Sequence, residues 1–338
     1  MTLAPLSSPA YTNTCSYIIR ACNLRKFSTS VPRLHENPLG LPRSGTQAPP
    51  TMPRRGGAIS KRPIPYARHV LAVASGKGGV GKSTVSANLA LALAKYGRVG
   101  LLDLDIFGPS IPKIMGLEGL GEPELTKDGR LVPLINHGIP CMSMGFLVPQ
   151  DKDTAIVWRG LMVQKAAQQL LFDVDWRGHN EGERGLDALV VDMPPGTGDI
   201  ALTLGQLVKV SGAVIVSTPQ DVSLIDVKKG VAMFRKVSVP ILGTILNMAH
   251  YTCYKCQPPH KHFLFGSPDS FMKTTSEMDV PVLGQLPLAP HVSAGGDQGV
   301  PAMVQGSTDD RKELGEVQNT MQTIAHRIWQ ELNRDKRA

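Results

Sequence analysis

Blocks of four to eight apolar residues recur along this chain, separated by stretches whose apolar residues return every three or four positions. That is the pattern of buried parallel strands alternating with crossover helices. Residues 69–74, 98–105, 186–192, 213–218, 240–247 and 282–286 read as strands, rich in Val, Ile and Leu. Residues 85–96, with Leu89, Leu91 and Leu93 among alanines, read as a helix that stops at Gly97 in a left-handed C-cap. Residues 160–173, with Leu161, Val163, Ala166, Ala167, Leu170 and Leu171 at helical spacing, and residues 221–237 supply two more helices. Near the C-terminal end Leu314, Val317, Met321, Ile324, Ile328 and Leu332 repeat at three- and four-residue intervals, which predicts a helix packed by one face. Thr308, Asp309 and Asp310 would form its N-cap and acidic first turn. The expected fold class is therefore α/β, a doubly wound and mainly parallel sheet.

The turn between the first strand and the first helix carries the clearest chemistry. Gly76-Lys77-Gly78-Gly79-Val80-Gly81-Lys82-Ser83-Thr84 satisfies G-x-x-x-x-G-K-[ST] at every fixed position, with the required strand before it and helix after it. The glycines let consecutive backbone N–H groups curl around a phosphate. Lys82 sets a cation on the outer phosphates, and the Ser83 hydroxyl is suited to Mg²⁺. The following helix adds its positive end. Lys77 is a second lysine near the start of the loop, where ordinary phosphate loops require none.

Strands that deliver acids at their carboxyl ends place them near such a loop. The second strand leads to Asp103 and Asp105, and the third ends in Asp192. Asp192 has the position needed to hold a Mg²⁺ shell, and Met193 to Gly198 follow it as a segment able to sense the γ-phosphate. Asp105 is the candidate for orienting the attacking water.

Composition narrows the partners. The 338 residues carry 36 Lys+Arg and 28 Asp+Glu, a formal net charge of +8, yet residues 1–102 hold 14 of the bases and a single acid, Glu36. The remainder therefore has 22 basic against 27 acidic groups, a net of −5, and no general nucleic-acid surface is expected. No run approaches the ~20 apolar residues of a membrane span, so no integral membrane segment is expected. Residues 1–35 lack acids, hold Arg20, Arg25, Lys26 and Arg33, and are rich in Ser and Thr, a transit-peptide composition. Arg25-Lys26-Phe27-Ser28 is similar to a matrix-peptidase cleavage site. Residues 36–66 hold seven prolines and little apolar periodicity, which suits a linker. The expected organisation is a mitochondrial presequence at 1–35, a linker at 36–66 and a P-loop body at 67–335, working in the mitochondrial matrix.

Five cysteines in a chain this long, without a secretory signal, do not make a disulfide framework. Cys15 and Cys22 fall in the presequence, and Cys141, inside an apolar stretch, reads as a small buried hydrophobe. Cys253 and Cys256 have metal-ligand spacing, and two thiolates three residues apart bind one edge of a metal or cluster. If two chains meet across a two-fold axis, they supply the four thiolates of a [4Fe–4S] cluster. Zinc held within one chain by Cys253, Cys256, His260 and His262 is a second chemistry, against which the short gap between the two pairs argues. A redox dithiol is a third, although Cys253 does not sit just before a helix that would lower its pKa.

The loop with Lys77 resembles the deviant phosphate loop of the MinD, ParA and Mrp ATPases, in which this lysine reaches across a dimer interface to the partner's nucleotide. A wider set of motifs resembles the Mrp/ApbC family of iron–sulfur carrier ATPases over residues 60 to 335. They are Asp105-Ile-Phe-Gly-Pro-Ser110, Trp158-Arg-Gly-Leu-Met162, Asp192-Met-Pro-Pro-Gly-Thr-Gly-Asp199, Asn247-Met248, Cys253-x-x-Cys256 and Gly284-Gln-Leu-Pro287. The resemblance implies ATP hydrolysis of low turnover, with Lys77, Lys82 and Asp105 in catalytic roles and Asn247 against the adenine. It implies a homodimer that carries a bridging [4Fe–4S] cluster on Cys253 and Cys256 and hands it to apo iron–sulfur proteins, in exchange with the cluster-assembly machinery. With the presequence in front, it points to the family's mitochondrial branch and to respiratory complex I subunits. Gln257-Pro-Pro-His-Lys-His262 departs from the family, which has a glycine-containing turn there. The alternative from another class is a positioning or partition ATPase. Such proteins add a membrane-binding helix or a basic DNA face, whereas this chain ends in the mixed-charge tail Asn333-Arg-Asp-Lys-Arg337. A P-loop kinase would need a lid over its acceptor, and none is evident.

Overall fold

The apolar blocks become six of the strands of one sheet, because a run of Val, Ile and Leu without polar alternation is stable only when both of its faces are covered. A computed structural model describes residues 60–106, 108–147, 160–177, 184–306 and 311–334 of the chain. The expected presequence and most of the linker, Phe107, Trp158, Arg159 and the expected N-cap at Thr308 to Asp310 lie outside those residues. The elements are β1 (Ala67–Ser75), α1 (Lys82–Leu93), β2 (Val99–Asp103), α2 (Ile111–Ile114), β3 (Leu134–Asn136), β4 (Ile139–Ser143), α3 (Gly160–Phe172), β5 (Leu186–Asp192) and α4 (Asp199–Leu207). They continue with β6 (Gly212–Ser217), α5 (Asp221–Lys236), β7 (Ile241–Leu246), β8 (Tyr251–Cys253), β9 (His260–His262), α6 (Asp269–Glu277), β10 (Val282–Gln285), α7 (Pro290–Asp297) and α8 (Lys312–Leu332).

The sheet runs in the order β10-β7-β6-β1-β5-β2-β4-β3, and every pairing is parallel except that of β3 with β4. β1 lies between β5 and β6. Later strands therefore add on both sides of it, and the loop that follows β1 opens at the carboxyl edge where the strand order reverses. α1 packs with α8 and α2, while α5 packs on β1, β6 and β7 and meets α6, so helices cover both faces. Ten of the twelve residues of α1 are buried, so the helix is covered on nearly every side instead of by one apolar face. Leu314, Val317, Met321, Ile324, Ile328 and Leu332 of α8 are all buried, the face that their spacing predicts. Among the described residues no helix is long and apolar enough to cross a membrane.

Three local readings are corrected. The first helix begins at Lys82, not residue 85, because Gly81 takes a left-handed φ of 79° and turns the chain straight into it. Gly97 is not a left-handed cap. A Cβ there would stand 2.7 Å from Cη2 of Trp329 and 2.8 Å from Oδ2 of Asp187, so close approach is what requires the glycine. The second strand closes at Asp103, leaving Asp105 in the loop beyond it.

Candidate functional site

The glycine-rich loop leaves β1 at Ser75 and enters α1 at Lys82. Gly79 and Gly81 have φ of 78° and 79°, a region that a Cβ resists. A side chain at Gly81 would strike the Asn247 amide, and one at Gly76 would overlap Asp226 of α5. Around Gly78 and Gly79 no heavy atom of the described residues, chain neighbours aside, lies within 4 Å of where a Cβ would stand, which leaves room for phosphate oxygens against the backbone. No side chain caps α1, so the positive end of the helix is presented by backbone alone.

Behind the loop, Asp192 is fully buried at the end of β5 and gathers three donors. Lys82 Nζ lies 2.7 Å from Oδ1, Ser86 Oγ donates to the same oxygen at 2.6 Å, and Ser83 Oγ donates to Oδ2 at 2.5 Å. The Lys82 side chain is only 6% exposed, so each charge of the pair depends on the other. Beside Asp192 in register stands Asp103 of β2, equally buried. It accepts from the Asp105 N–H at 2.9 Å and from Ser143 Oγ at 3.0 Å. Burial, and after it the charge of Asp192, push the Asp103 carboxyl up to about 8, since neighbouring carboxylates out of water resist ionising together. The segment after Asp192 is tied to β1 by Met193 N–H to Val73 carbonyl at 3.0 Å and Gly196 N–H to Ser75 carbonyl at 2.8 Å.

In front of the loop is a cavity of about 590 Å³. It brings together Lys77, Lys82, Ser83 and Thr84 on one wall with Asp105, Lys113 and the α7 residues Val292, Ser293 and Asp297 on another. Lys113 and Asp297 form an exposed ion pair of 3.3 Å at its edge. Lys77 Nζ donates at 2.8 Å to Oε1 of Gln220, the residue before α5. Asn247 follows β7 and lies beside the loop, its amide donating to the Val80 carbonyl at 2.8 Å. It is thus a prop of the loop backbone, whatever it does toward a base.

The two thiols stand apart from this cavity on a small antiparallel hairpin, β8 with β9, whose connection contains a cis Gln257–Pro258 bond. Cys253 is half-buried, Cys256 is exposed, and their sulfurs are 3.4 Å apart. The bond from the Cys256 thiol, helped by the backbone N–H groups of Cys256 and Lys255, holds Cys253 below the usual thiol range. Cys256 is pushed up, because losing its proton forfeits that bond and sets it against the Cys253 charge. Among the described residues no group of three His, Cys, Asp or Glu side chains is placed to hold a metal ion. The single-chain zinc set of Cys253, Cys256, His260 and His262 is therefore not assembled. Cys141 is fully buried in β4, and burial pushes its thiol up, as befits a small apolar residue.

Ser86 joins the site without having been a candidate, although it lies a turn after Lys82, and Asp103, expected near the loop with no role assigned, proves to be the buried neighbour of Asp192. Gln220, 143 positions from Lys77, and Glu316 of α8, which receives bonds from the thiol hairpin, have no local trace.

Residues 66–329 match the family model described as ParA: NUBPL iron-transfer P-loop NTPase. The chain is similar to the iron–sulfur cluster transfer protein NUBPL of Mus musculus, 50% identical over 260 residues that cover 76% of this chain and 77% of that one. It is also similar to the iron–sulfur protein required for NADH dehydrogenase, mitochondrial, of Arabidopsis thaliana, 45% identical over 251 residues that cover 74% and 76%. Among solved structures it is similar to the nucleotide-binding protein of Archaeoglobus fulgidus in complex with ADP, with 34% identity, a TM-score of 0.57, and coverage of 69% and 87%.

Proposed function

The chain belongs to the ParA-type NUBPL iron-transfer P-loop NTPases, and from that premise we propose that it is an ATP-dependent carrier that delivers iron–sulfur clusters to mitochondrial apoproteins. The observation that carries the reading is an open pair of thiols, 3.4 Å apart, on the same body as a complete phosphate loop. The mouse relative is named for cluster transfer and the Arabidopsis relative for mitochondrial NADH dehydrogenase. These names support complex I subunits as recipients and a mitochondrial location.

The loop amides and Lys82 bind the outer phosphates of ATP, Lys82 exchanging Asp192 for phosphate oxygens as it does so. Ser83 and Asp192 offer the oxygen ligands that suit Mg²⁺, which supplies charge neutralisation at the phosphates. Asp105, across the cavity, orients the attacking water. Lys77 leaves Gln220 to reach the nucleotide of a partner subunit. The two-fold dimer so formed brings two Cys253–Cys256 pairs together, four thiolates for a [4Fe–4S] cargo. An exposed hairpin suits a cargo that must be passed on, because acceptor thiols can approach it from solvent.

Anaerobic reconstitution with iron and sulfide, read by absorption and EPR, tests the proposal. The wild type is expected to take up about four irons per dimer, and Cys253→Ser or Cys256→Ser to take up none stably. Equal iron and sulfide in the cysteine variants would remove the site.

A further inference from the structure

The thiol hairpin has little to hold it in shape. β8 and β9 are three residues each and, among the described residues, pair only with one another, and a two-stranded hairpin in water is marginal. Backbone bonds fix its base, from Ala249 N–H to the Leu286 carbonyl at 2.9 Å and from Leu288 N–H to the His250 carbonyl at 2.7 Å. At the level of the thiols the hold is of another kind, a single carboxylate that comes from the far end of the chain.

Glu316 of α8 accepts four hydrogen bonds from this hairpin and its approach. Oε1 receives His250 Nε2 at 3.0 Å and Lys261 Nζ at 3.4 Å. Oε2 receives Thr252 Oγ1 at 3.0 Å and Tyr254 O–H at 3.1 Å. Thr252 and Tyr254 bracket Cys253, and Lys261 stands opposite Thr252 in the hairpin register. Because successive strand residues point to opposite faces, drawing Thr252 inward turns Cys253 outward. The burial agrees: Thr252 is buried and Cys253 is half-exposed. Burial alone would raise the Glu316 carboxyl, yet the bonds from His250 and Thr252 and the charge of Lys261 outweigh it and hold the group below the usual range. Glu316 is thus an anion matched to its donors, and hydrogen bonds to a charged acceptor are the stronger ones.

The geometry points to Glu316 as the positioning residue of the cargo site, a clamp on α8 that fixes the face and spacing of Cys253 and Cys256. Glu316 touches neither sulfur and acts through Thr252, Tyr254 and the hairpin register. It stands on the helix that packs against α1, so the mount of the thiols is the neighbour of the helix that ends the phosphate loop. The inference rests on the carrier reading and adds to it the device that orients the ligands.

The test uses the full chain, reconstituted anaerobically, with Glu316→Ala, Glu316→Gln and the double variant Thr252→Val/Tyr254→Phe, which leaves α8 untouched. Cluster loss to an iron chelator is followed by absorbance, and the reduced cluster by EPR. Loss about tenfold faster than wild type is expected for Glu316→Ala, with altered EPR g-values. Glu316→Gln should be intermediate, and the double variant should move the same way. ATP affinity should stay at the wild-type value, and melting temperature should fall by a few degrees at most, the cost of the unpaired hairpin donors. Wild-type loss rates and spectra in both Glu316→Ala and the double variant overturn the proposal. So does a matching fall in melting temperature and ATP affinity, which would make Glu316 a packing residue of α8. Cys253→Ser in the same series separates the two levels. If it retains the cluster, the carrier reading falls; if it loses the cluster while Glu316→Ala behaves as wild type, only the clamp falls.

Discussion

Replacing Asp192 with Asn keeps the shape of the side chain and removes its charge, which leaves the 6%-exposed Lys82 ammonium without its counter-ion. Breaking one side of a buried ion pair costs about 3–5 kcal/mol. The Ser83 and Ser86 hydroxyls lose a charged acceptor as well. We therefore expect Asp192→Asn to lose about 3–4 kcal/mol, or about 10 °C in melting temperature for a body of this size. Lys82→Met strands Asp192 instead, but the two serines still donate to it, so the loss is smaller, about 2–3 kcal/mol. In the double variant neither charge is left alone, and about 2 kcal/mol of the summed losses should return. Urea unfolding without nucleotide, with unchanged m-values as the check on a common denatured state, closes the cycle. Single-variant losses that add to within about 0.5 kcal/mol would refute a mutually dependent pair.

Asp103 gives a pH signature. Its carboxyl, raised from 3.8 to about 8, keeps its proton in the folded protein over a range where the unfolded chain has lost it. Its contribution to stability is therefore complete below the unfolded value and is lost as pH rises through the folded one. Asp103→Asn, which imitates the protonated form, should flatten that decline in melting temperatures taken between about pH 5 and 9, and a decline as steep as in the wild type would count against the assignment. Asn247→Ala leaves the buried Val80 carbonyl without its partner. The expected cost is about 1–3 kcal/mol together with weaker nucleotide affinity by calorimetry, and unchanged values of both would dismiss Asn247 as a prop.

How far the fold can be read from the chain depends on where the constraint lies. β5 is legible residue for residue, because a strand covered on both faces is apolar through its centre, Ala188 to Val191, and the acid at its end is the polar position the site needs. The phosphate loop is legible because its chemistry is contiguous. Gly97 misleads because a glycine after a helix ordinarily signals a cap, whereas here a tryptophan from α8 demands the space. α7 is invisible to propensity, with Gly295 and Gly296 in an eight-residue helix, and it is held by its packing on α2 and α8. The thiol pair announces itself by spacing, yet its mount does not. Three-residue strands carry no period, and a glutamate more than sixty positions away leaves no local trace.

α1, buried on nearly every side, owes part of its cover to α8, the last element described. A ribosome makes the polypeptide amino end first, so the phosphate-loop helix emerges long before the segment that will shelter it. Until α8 has been made, the nascent chain carries that helix without its full cover, and chaperones bridge the interval. A stop codon just ahead of Lys312 would spare every residue of the loop and both sulfurs, yet its product would be a substrate for quality-control proteases instead of a weakened carrier.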